Sequence, residues 1–349
     1  MRLPLKSPTV ALWLFLAAFT ILALVCVGGA TRLTQSGLSI TEWKPIAGVI
    51  PPGSDTAWNA EFANYKTIPQ FKQINPHMTL DQFKGIYWWE WAHRILARLL
   101  GTIYLVGFAA FLVLSAMPAR VIWRSGVALG LVVFQGLVGW WMVASGLTKR
   151  IFVAPEMLMS HLAMALILLV WTIWTALEAG EGASRNRGAP WGWRIGVGAV
   201  VGLVFLQCLL GALVAGNQAG LVYNDWPMMN GSFAPYADWS RGFFVTLFHD
   251  QGVVQFMHRM NAYLLLAYAL GLAVFMARKC QDDTLKVLAA AVCVVAFVQA
   301  GLGIATLITG VNFWLALLHQ FVAISLLSLS TFLLWKVARA DRVFRRRGF

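Results

Sequence analysis

The sequence predicts an all-α membrane protein in which eight transmembrane helices form two tandem four-helix bundles in a parallel repeat. The composition is the first indication, because 59% of the 349 residues are hydrophobic and only 12% are charged, a balance typical of polytopic membrane proteins. The mean hydropathy of +0.70 agrees with it. The other two indications are a series of long apolar runs and a second half of the chain that repeats the first.

Each predicted span is an apolar run of about 20 residues, the length that an α-helix needs to cross the hydrocarbon core of a bilayer. The first run is rich in Leu, Ala and Val. No small-residue cleavage site clearly follows it, so we expect an uncleaved span and not a signal peptide. In chain order, the runs cover residues 11–30, 95–115, 121–144, 157–177, 194–215, 256–277, 285–308 and 314–336.

The basic residues are sorted by the side of the membrane on which they would lie. A net charge of +13 could indicate a nucleic-acid partner. Eight spans, however, place 16 Lys and Arg on the side of the two termini and only 9 in the longer loops of the opposite side. The positive-inside rule then predicts two cytoplasmic termini and no nucleic-acid partner. The tail Arg345-Arg346-Arg347 is best explained as an orientation signal or a lipid contact.

The second half of the chain repeats the motifs of the first in the same order. Four spans per half is an even number, so both halves would have one orientation and be related by an axis along the membrane normal. We therefore predict an N-terminal bundle over residues 1–180 and a C-terminal bundle over residues 181–349. The matched segments, with their offsets in residue number, are Gly28…Trp43 with Gly211…Trp226 (183), Glu90…Arg94 with Gln255…Arg259 (165), Gln135 with Gln299 (164), and His161 with His319 (158).

Four histidines stand near the starts of the even-numbered spans, at one depth close to the outer face: His93, His161, His258 and His319. Imidazole is costly to bury in a membrane without a partner. Two neutral rings from facing helices can ligate the two faces of one haem. The alternatives are helix-end hydrogen bonds and a zinc site, although thiol and carboxylate ligands are not clustered as zinc needs.

The two halves differ beside the first histidine of each pair. Glu90 lies three residues before His93, on the same helix face, whereas the second half has Gln255 at that place. A carboxylate can accept a proton or position water, and an amide cannot take up a proton at ordinary pH. The first half is therefore the candidate for chemistry and the second for ligation or electron transfer. The alternatives for Glu90 are a salt bridge with Arg94 and a helix-start acid favoured by the dipole.

Three arginines are candidates to neutralise haem propionates near the outer surface. Arg94 and Arg259 follow the two histidines identically, and a guanidinium pairs with carboxylates in a bidentate way. The alternative is ordinary snorkelling to the headgroups. Arg98 lies one turn deeper, with Tyr263 at the corresponding position, and we expect a propionate or Glu90 as its partner.

These motifs together resemble the haem A synthase family over nearly the whole chain. The resemblance implies oxidation of the C8 methyl group of haem O to a formyl group, which yields haem A for terminal oxidases. It also implies that His258 and His319 bind a resident haem b, and that His93 and His161 hold the substrate haem with Glu90 supporting catalysis. The segments that carry the resemblance are Glu90-Trp-Ala-His93-Arg94, Gln255-Phe-Met-His258-Arg259, Gly28 to Ser39, and Asn224-Asp225-Trp226-Pro227-Met228.

Some members of that family carry a cysteine pair in outer loops. Here Cys26, Cys208, Cys280 and Cys293 fall in predicted spans or at a cytoplasmic end, so the outer loops offer no disulfide or thiol relay. The chain thus resembles the branch without those thiols. A short segment before the first span, without an organelle-type presequence, leads us to expect a bacterial inner membrane. The expected partners are membrane lipid, haem O synthase and an electron-transfer protein, and a homo-oligomer stays open.

The expected mechanism is a stepwise oxidation at the methyl carbon. The carbon becomes electrophilic, water positioned by Glu90 adds, and a second round gives a geminal diol that loses water to leave the aldehyde. The haem carries the hard chemistry, and the protein supplies ligation, orientation and a proton acceptor. Two alternatives stay open: a bis-histidine transmembrane cytochrome b electron carrier, disfavoured because it needs haems near opposite faces, and a non-enzymatic haem carrier for oxidase assembly.

Overall fold

The computed structural model describes residues 3–44, 47–148, 150–182 and 189–340. Within these ranges the chain is all-helical, which confirms the predicted fold class. The tail Arg345-Arg346-Arg347 lies outside the described residues. The α-helices are α1 (Pro8–Leu33), α2 (Asp55–Lys66), α3 (Pro69–Ile74), α4 (Leu80–Val113), α5 (Ala119–Leu147), α6 (Pro155–Glu181), α7 (Trp191–Gly216), α8 (Phe243–His249), α9 (Gln251–Lys279), α10 (Asp283–Ile308) and α11 (Phe313–Arg339).

Eight of these helices, all but α2, α3 and α8, are long and apolar enough to cross a membrane. Each coincides with one of the predicted apolar runs. Local signals set where they begin. Pro8 and Pro155 stand in the first turns of α1 and α6, where a backbone N–H would have no partner within the helix. Asp250, Asp282 and Asn312 cap α9, α10 and α11 by accepting backbone N–H groups, which would otherwise have no partner within the helix.

Helix α4 extends outward well beyond its predicted apolar run and begins at Leu80. Thr79 and Gln82 form a capping box there: the Thr79 hydroxyl accepts from the Gln82 N–H at 3.3 Å, and the Gln82 side chain accepts from the Thr79 N–H at 2.9 Å. Such a cap starts a helix without help from apolar periodicity. As a result several outer turns precede His93, whereas the other three histidines lie close to the starts of their helices.

The segment between α1 and α4 folds into a small helical cap on the first half. Helix α2 packs on the outer turns of α4 through aromatic rings. The rings of Phe62 and Phe83 stack with their centroids 5.0 Å apart, and Trp58 meets Tyr87 edge-on at 4.9 Å. The Tyr65 ring is fully buried among them. Each such pair adds roughly 0.5–1.5 kcal/mol to the burial of the rings, so this segment is a structured cover over the outer end of the bundle.

Each half closes a cycle of helix contacts. In the first half, α1 and α5 each pack against α4 and α6, and in the second half, α7 and α10 each pack against α9 and α11. Contacts between the halves join α6 to α7, α6 to α11, and α1 to α11. These contacts support the predicted pair of four-helix bundles. The boundary between residues 180 and 181 stays a prediction.

Two polar side chains tie the halves together. Arg32 of α1 donates to the carbonyl of Ala215 in α7 at 2.6 Å, and Gln320 of α11 donates to the carbonyl of Val25 in α1 at 2.8 Å. Gly29 leaves room for the Gln320 amide, which a Cβ at that position would strike. Arg32 and Ala215 are separated by the repeat offset of 183 residues. Equivalent residues meet only near the axis that relates them, so this axis passes close to that contact.

Candidate functional site

The four histidines occupy matching places on α4, α6, α9 and α11. Each imidazole faces a glycine of the membrane helix that precedes it in the chain, and the absent side chain makes the space for the ring. The glycines obey the same repeat as the histidines. The pairs, with the distance from an added Cβ to the nearest ring atom, are Gly28–His93 (3.2 Å), Gly139–His161 (2.9 Å), Gly211–His258 (3.4 Å) and Gly303–His319 (2.9 Å).

His258 and His319 stand at the spacing of two imidazoles that share one metal ion. Their ring centroids are 6.5 Å apart. An imidazole nitrogen binds a transition metal at about 2 Å, so two rings on opposite sides of one ion have centroids roughly 6 Å apart. In the first half, His93 and His161 face Gly28 and Gly139, which correspond to Gly211 and Gly303 in the repeat. The second pair therefore fits bis-imidazole ligation, and the first pair repeats its placement.

The donor set of these pairs suits a haem. Within the described ranges, no group of three or more His, Cys, Asp or Glu side chains is placed to hold a metal ion. Each histidine pair thus offers two protein ligands. A porphyrin supplies the remaining ligands of its own iron and leaves the two axial positions for imidazoles.

A glutamine amide lies against three of the four histidines, a feature that the sequence interpretation missed. For His161 and His258, the amide holds the residue by donating to its backbone carbonyl. The signal was present as Gln-x-x-x-Gly, in which the glycine is the one that faces the same histidine. The amide nitrogens lie 2.9 Å (Gln135) and 3.0 Å (Gln207) from the backbone carbonyls of His161 and His258, 3.2 Å from Nδ1 of each of those rings, and 3.4 Å (Gln299) from Nε2 of His319.

Glu90 is buried and its carboxylate is fully engaged. Its Oε1 accepts from Nε and Nη2 of Arg94 at 3.0 and 2.6 Å. Its Oε2 accepts from the Ser39 hydroxyl at 2.7 Å and from the Ile40 N–H at 2.8 Å. The salt bridge with Arg94, one of the alternatives from the sequence, is thus present. The catalytic role of Glu90, one turn before His93, stays a prediction.

Gln255 holds the corresponding loop of the second half, but it donates hydrogen bonds to that loop where Glu90 accepts them. Its Oε1 accepts from Arg259 Nη2 at 2.9 Å, and its amide nitrogen donates to the carbonyls of Ala219 and Val222 at 2.8 and 2.6 Å. Both side chains therefore fasten the loop that follows the first helix of their half. The carboxylate meets donors in that loop, and the amide meets acceptors, so the two are not interchangeable.

Arg94 and Arg98 hold the first outer loop by its carbonyl groups. Arg94 donates to Ile40 at 2.7 Å and to Glu42 at 2.9 Å, and Arg98 donates to Lys44 at 2.8 Å. These guanidinium groups therefore fasten the backbone of the loop to helix α4. The prediction that they neutralise propionates stays a prediction.

Arg259 repeats the contacts of Arg94 with two loop carbonyl groups. It donates to the carbonyls of Tyr223 and Asp225 at 2.9 and 3.0 Å. These two residues are displaced by 183 positions from the two whose carbonyls Arg94 uses. The repeat thus extends from motifs to individual hydrogen bonds. A propionate contact of Arg259 likewise stays a prediction.

The Asn224–Met228 motif forms an ordered turn under the second site. Asp225 accepts the Asn230 N–H at 3.0 and 2.8 Å, and this hydrogen bonding lowers the pKa of Asp225. The Trp226 indole N–H donates to the Tyr263 hydroxyl at 3.0 Å. Tyr263 corresponds to Arg98 of the first half, so each of these two residues holds the loop of its own half.

Comparisons with known proteins agree with the resemblance seen in the motifs. The COX15-CtaA family model, described as cytochrome oxidase assembly protein, matches residues 11–331. A protein of Caulobacter sp. (strain K31) named Heme A synthase is 52% identical over 341 residues, which cover 96% of this chain and 97% of the relative. Proteins of the same name from Bradyrhizobium sp. (strain ORS 278) and Sphingopyxis alaskensis are 45% and 41% identical, covering 98% and 97% of this chain and 93% and 94% of the relatives. The chain belongs to the COX15-CtaA family of cytochrome oxidase assembly proteins.

Proposed function

We propose that this chain is a haem A synthase, an oxidoreductase that converts the C8 methyl group of haem O into a formyl group. The observation that carries the proposal is the repeated histidine pair, with a carboxylate beside the first pair and an amide beside the second. Relatives named Heme A synthase that match between 96% and 98% of the chain support it.

We assign a resident haem b to His258 and His319, and the substrate haem O to His93 and His161. The second pair has the ring spacing that a bis-imidazole haem requires. A bound haem b supplies a one-electron redox centre. The first pair repeats this placement and has the ionisable neighbour Glu90, which a reaction that releases protons needs.

Glu90 is the proposed proton acceptor beside the substrate. Conversion of a methyl group and water into a formyl group releases protons and electrons in equal number, and the electrons pass to an external acceptor. The Oε2 atom of Glu90 can bind such a proton when it gives up the hydrogen bond from Ser39 or from the Ile40 N–H. Arg94 holds the other oxygen, so the carboxylate keeps its orientation next to His93. Both first-half histidines orient the substrate ring.

The chain is a multi-pass membrane protein by its eight long apolar helices. We place it in a bacterial inner membrane with both termini cytoplasmic, because 16 Lys and Arg lie on that side against 9 on the other. All four histidines then lie towards the outer face. Haem O synthase, an electron-transfer protein and a second copy of the chain are proposed partners, since a membrane-bound substrate must be delivered and its electrons removed.

Pigment analysis tests the proposed function. The chain is expressed in a host that makes haem O but lacks its own haem A synthase, and the extracted haems are identified by mass and absorption spectrum. We expect the formyl product with the wild-type chain, and no formyl product with His93→Ala or His161→Ala. Haem b alone in the wild-type extract would show instead an electron carrier or a haem carrier.

A further inference from the structure

The two halves differ in polarity just below the first histidine of each pair. The second half has Gln207 and Asn261 there. At the offsets of 183 and 165, the first half has Leu24 and Leu96 in their places. The two halves thus present a polar amide pair in one site and two aliphatic side chains in the other. This difference is separate from that between the acid and the amide at the helix turn above.

The amide pair of the second half forms a connected chain that ends on His258. Asn261 is buried, and its Nδ2 donates to Gln207 Oε1 at 2.7 Å and to the carbonyl of Leu203 at 3.2 Å. The oriented Gln207 amide then donates to the His258 carbonyl at 3.0 Å. Its nitrogen lies 3.2 and 3.1 Å from Nδ1 and Nε2 of the His258 ring. The backbone carbonyl of His258 is therefore held by a directional hydrogen bond from a buried network, and the Gln207 amide lies against the ring.

His93 has no such support. Leu24 and Leu96 belong to the apolar core of the first half, and an aliphatic side chain makes no directional contact with an imidazole. Among the described residues, no hydrogen bond reaches the His93 ring. Its partner His161 differs, because Gln135 lies against that ring as Gln299 lies against His319. Three of the four ligand candidates are held by an amide, and the exception belongs to the half that we assign to the substrate.

We propose that Gln207 and Asn261 are positioning residues that make His258 a permanent haem ligand, and that His93 is the axial ligand that yields when the haem of the first half is exchanged. This inference rests on the proposed function, in which one haem stays and the other leaves after each reaction. Loss of an outer partner of a metal-binding histidine typically costs about 10- to 100-fold in metal affinity. A resident cofactor benefits from that difference, and a substrate that must depart does not.

Haem transfer to excess apomyoglobin tests the inference without turnover. The purified full-length chain is loaded with haem b at both sites, and its release is followed by absorption. A His93→Ala, His161→Ala double variant identifies the phase that belongs to the second half. We expect a slow second-half phase and a faster first-half phase in the wild-type chain. Equal rates at the two sites would overturn the inference.

Two sets of substitutions then test the amides. One removes an amide from the second half, and the other introduces the amide pair into the first half. Gln207→Met keeps the length of the side chain without its polar atoms, and we expect the slow phase to accelerate about 10-fold or more. The double variant Leu24→Gln, Leu96→Asn supplies the pair to the first half, and the fast phase should slow by a similar factor. Gln135→Met, the matched control, should leave the slow phase unchanged. If Gln207→Met does not fold, the transplanted pair decides the question.

The inference would be overturned if neither set of substitutions changed the rate of haem release. It would also be overturned if Gln135→Met accelerated release from the second half, since that would indicate general loosening of the protein. The proposed function has a separate readout. If the wild-type chain forms haem A but the variants release haem at unaltered rates, only the role of the amide pair is contradicted. If the release rates are as expected but the wild-type chain forms no haem A, only the proposed function is contradicted.

Discussion

The carboxylate of Glu90 has a structural role and a proposed chemical one, and Glu90→Gln separates them. The amide keeps an oxygen for Arg94, but its nitrogen can accept neither of the hydrogen bonds that Oε2 now accepts, from Ser39 and from the Ile40 N–H. We expect haem A formation to fall to background, because an amide takes up no proton, while haem b content stays at the wild-type level. Mass analysis of the pigments extracted from the purified protein measures both quantities.

The matched control for this variant is Ser39→Ala. It removes one donor to Glu90 and leaves the carboxylate in place, so most of the activity should remain. Full activity in Glu90→Gln would remove Glu90 from the mechanism. Loss of haem b from that variant would show that the residue acts by holding the fold.

The glycines that face the histidines provide a second test at single residues. A Cβ at Gly303 would lie 2.9 Å from the His319 ring, so Gly303→Ala must displace the imidazole from the position that we propose for ligation. We expect about a 10-fold or larger loss of haem affinity, measured as haem b per protein and as a change of the absorption spectrum. Gly301→Ala, where an added Cβ meets nothing within 4 Å, is the control and should bind haem normally. Equal haem content in the two variants would contradict the assignment.

At the scale of elements, the arginine contacts show how a loop is fixed to a membrane helix. Arg259 reaches several carbonyl groups of one loop at once from two nitrogens, and the single nitrogen of an ammonium cannot reproduce that spread of donors. We expect Arg259→Lys to raise the amide hydrogen exchange of residues 223–228. Arg278→Lys at the far end of the same helix should leave that exchange unchanged.

This variant also distinguishes the two roles considered for Arg259. If exchange rises in the protein without haem, the arginine acts on the loop. If exchange is unchanged and only haem binding weakens, the arginine acts on the propionates, as the sequence motifs indicate. A variant with neither effect would contradict both roles.

Helix α4 shows which element boundaries a sequence interpretation finds. Hydropathy located the part of α4 that crosses the membrane but not the turns that begin at Leu80, because these turns mix charged with aromatic residues and are started by the capping box at Thr79. The signal was present as Thr-x-x-Gln. The aromatic cap over these turns was likewise visible only as a loop, since its rings belong to α2 and α4 and meet only in the folded chain.

At the scale of the whole molecule, the charge asymmetry predicts one orientation in the membrane. The basic residues lie mainly on the side of the termini, and the rule that they stay in the cytoplasm places the four histidines near the opposite surface. With the native cysteines replaced, Ser240→Cys should react with a membrane-impermeant maleimide in intact cells. Gln281→Cys, exposed on the other side, should react only after lysis. The reverse pattern would contradict the proposed topology.

The number of spans, the internal repeat and the four histidines follow from the order of residues alone. These features depend on residues that are neighbours in the chain or on a comparison of the chain with itself. Apolar length alone is enough to specify a membrane helix, and a duplicated motif marks equivalent positions through the order of its residues alone. The acid at Glu90 and the amide at Gln255 were also distinguished at this level, by one position in the repeat.

The contacts of those residues, by contrast, depend on how the helices pack. Glu90 meets the Ile40 N–H from 50 positions away, and Gln320 reaches the Val25 carbonyl across 295 positions. The amide of Gln207 meets the ring of His258 because α7 packs on α9. In an apolar interior each buried polar atom needs a partner, and that partner can come from any helix that packs nearby. The choice of partner is therefore a property of the packed bundle, whereas the helices themselves follow from local sequence.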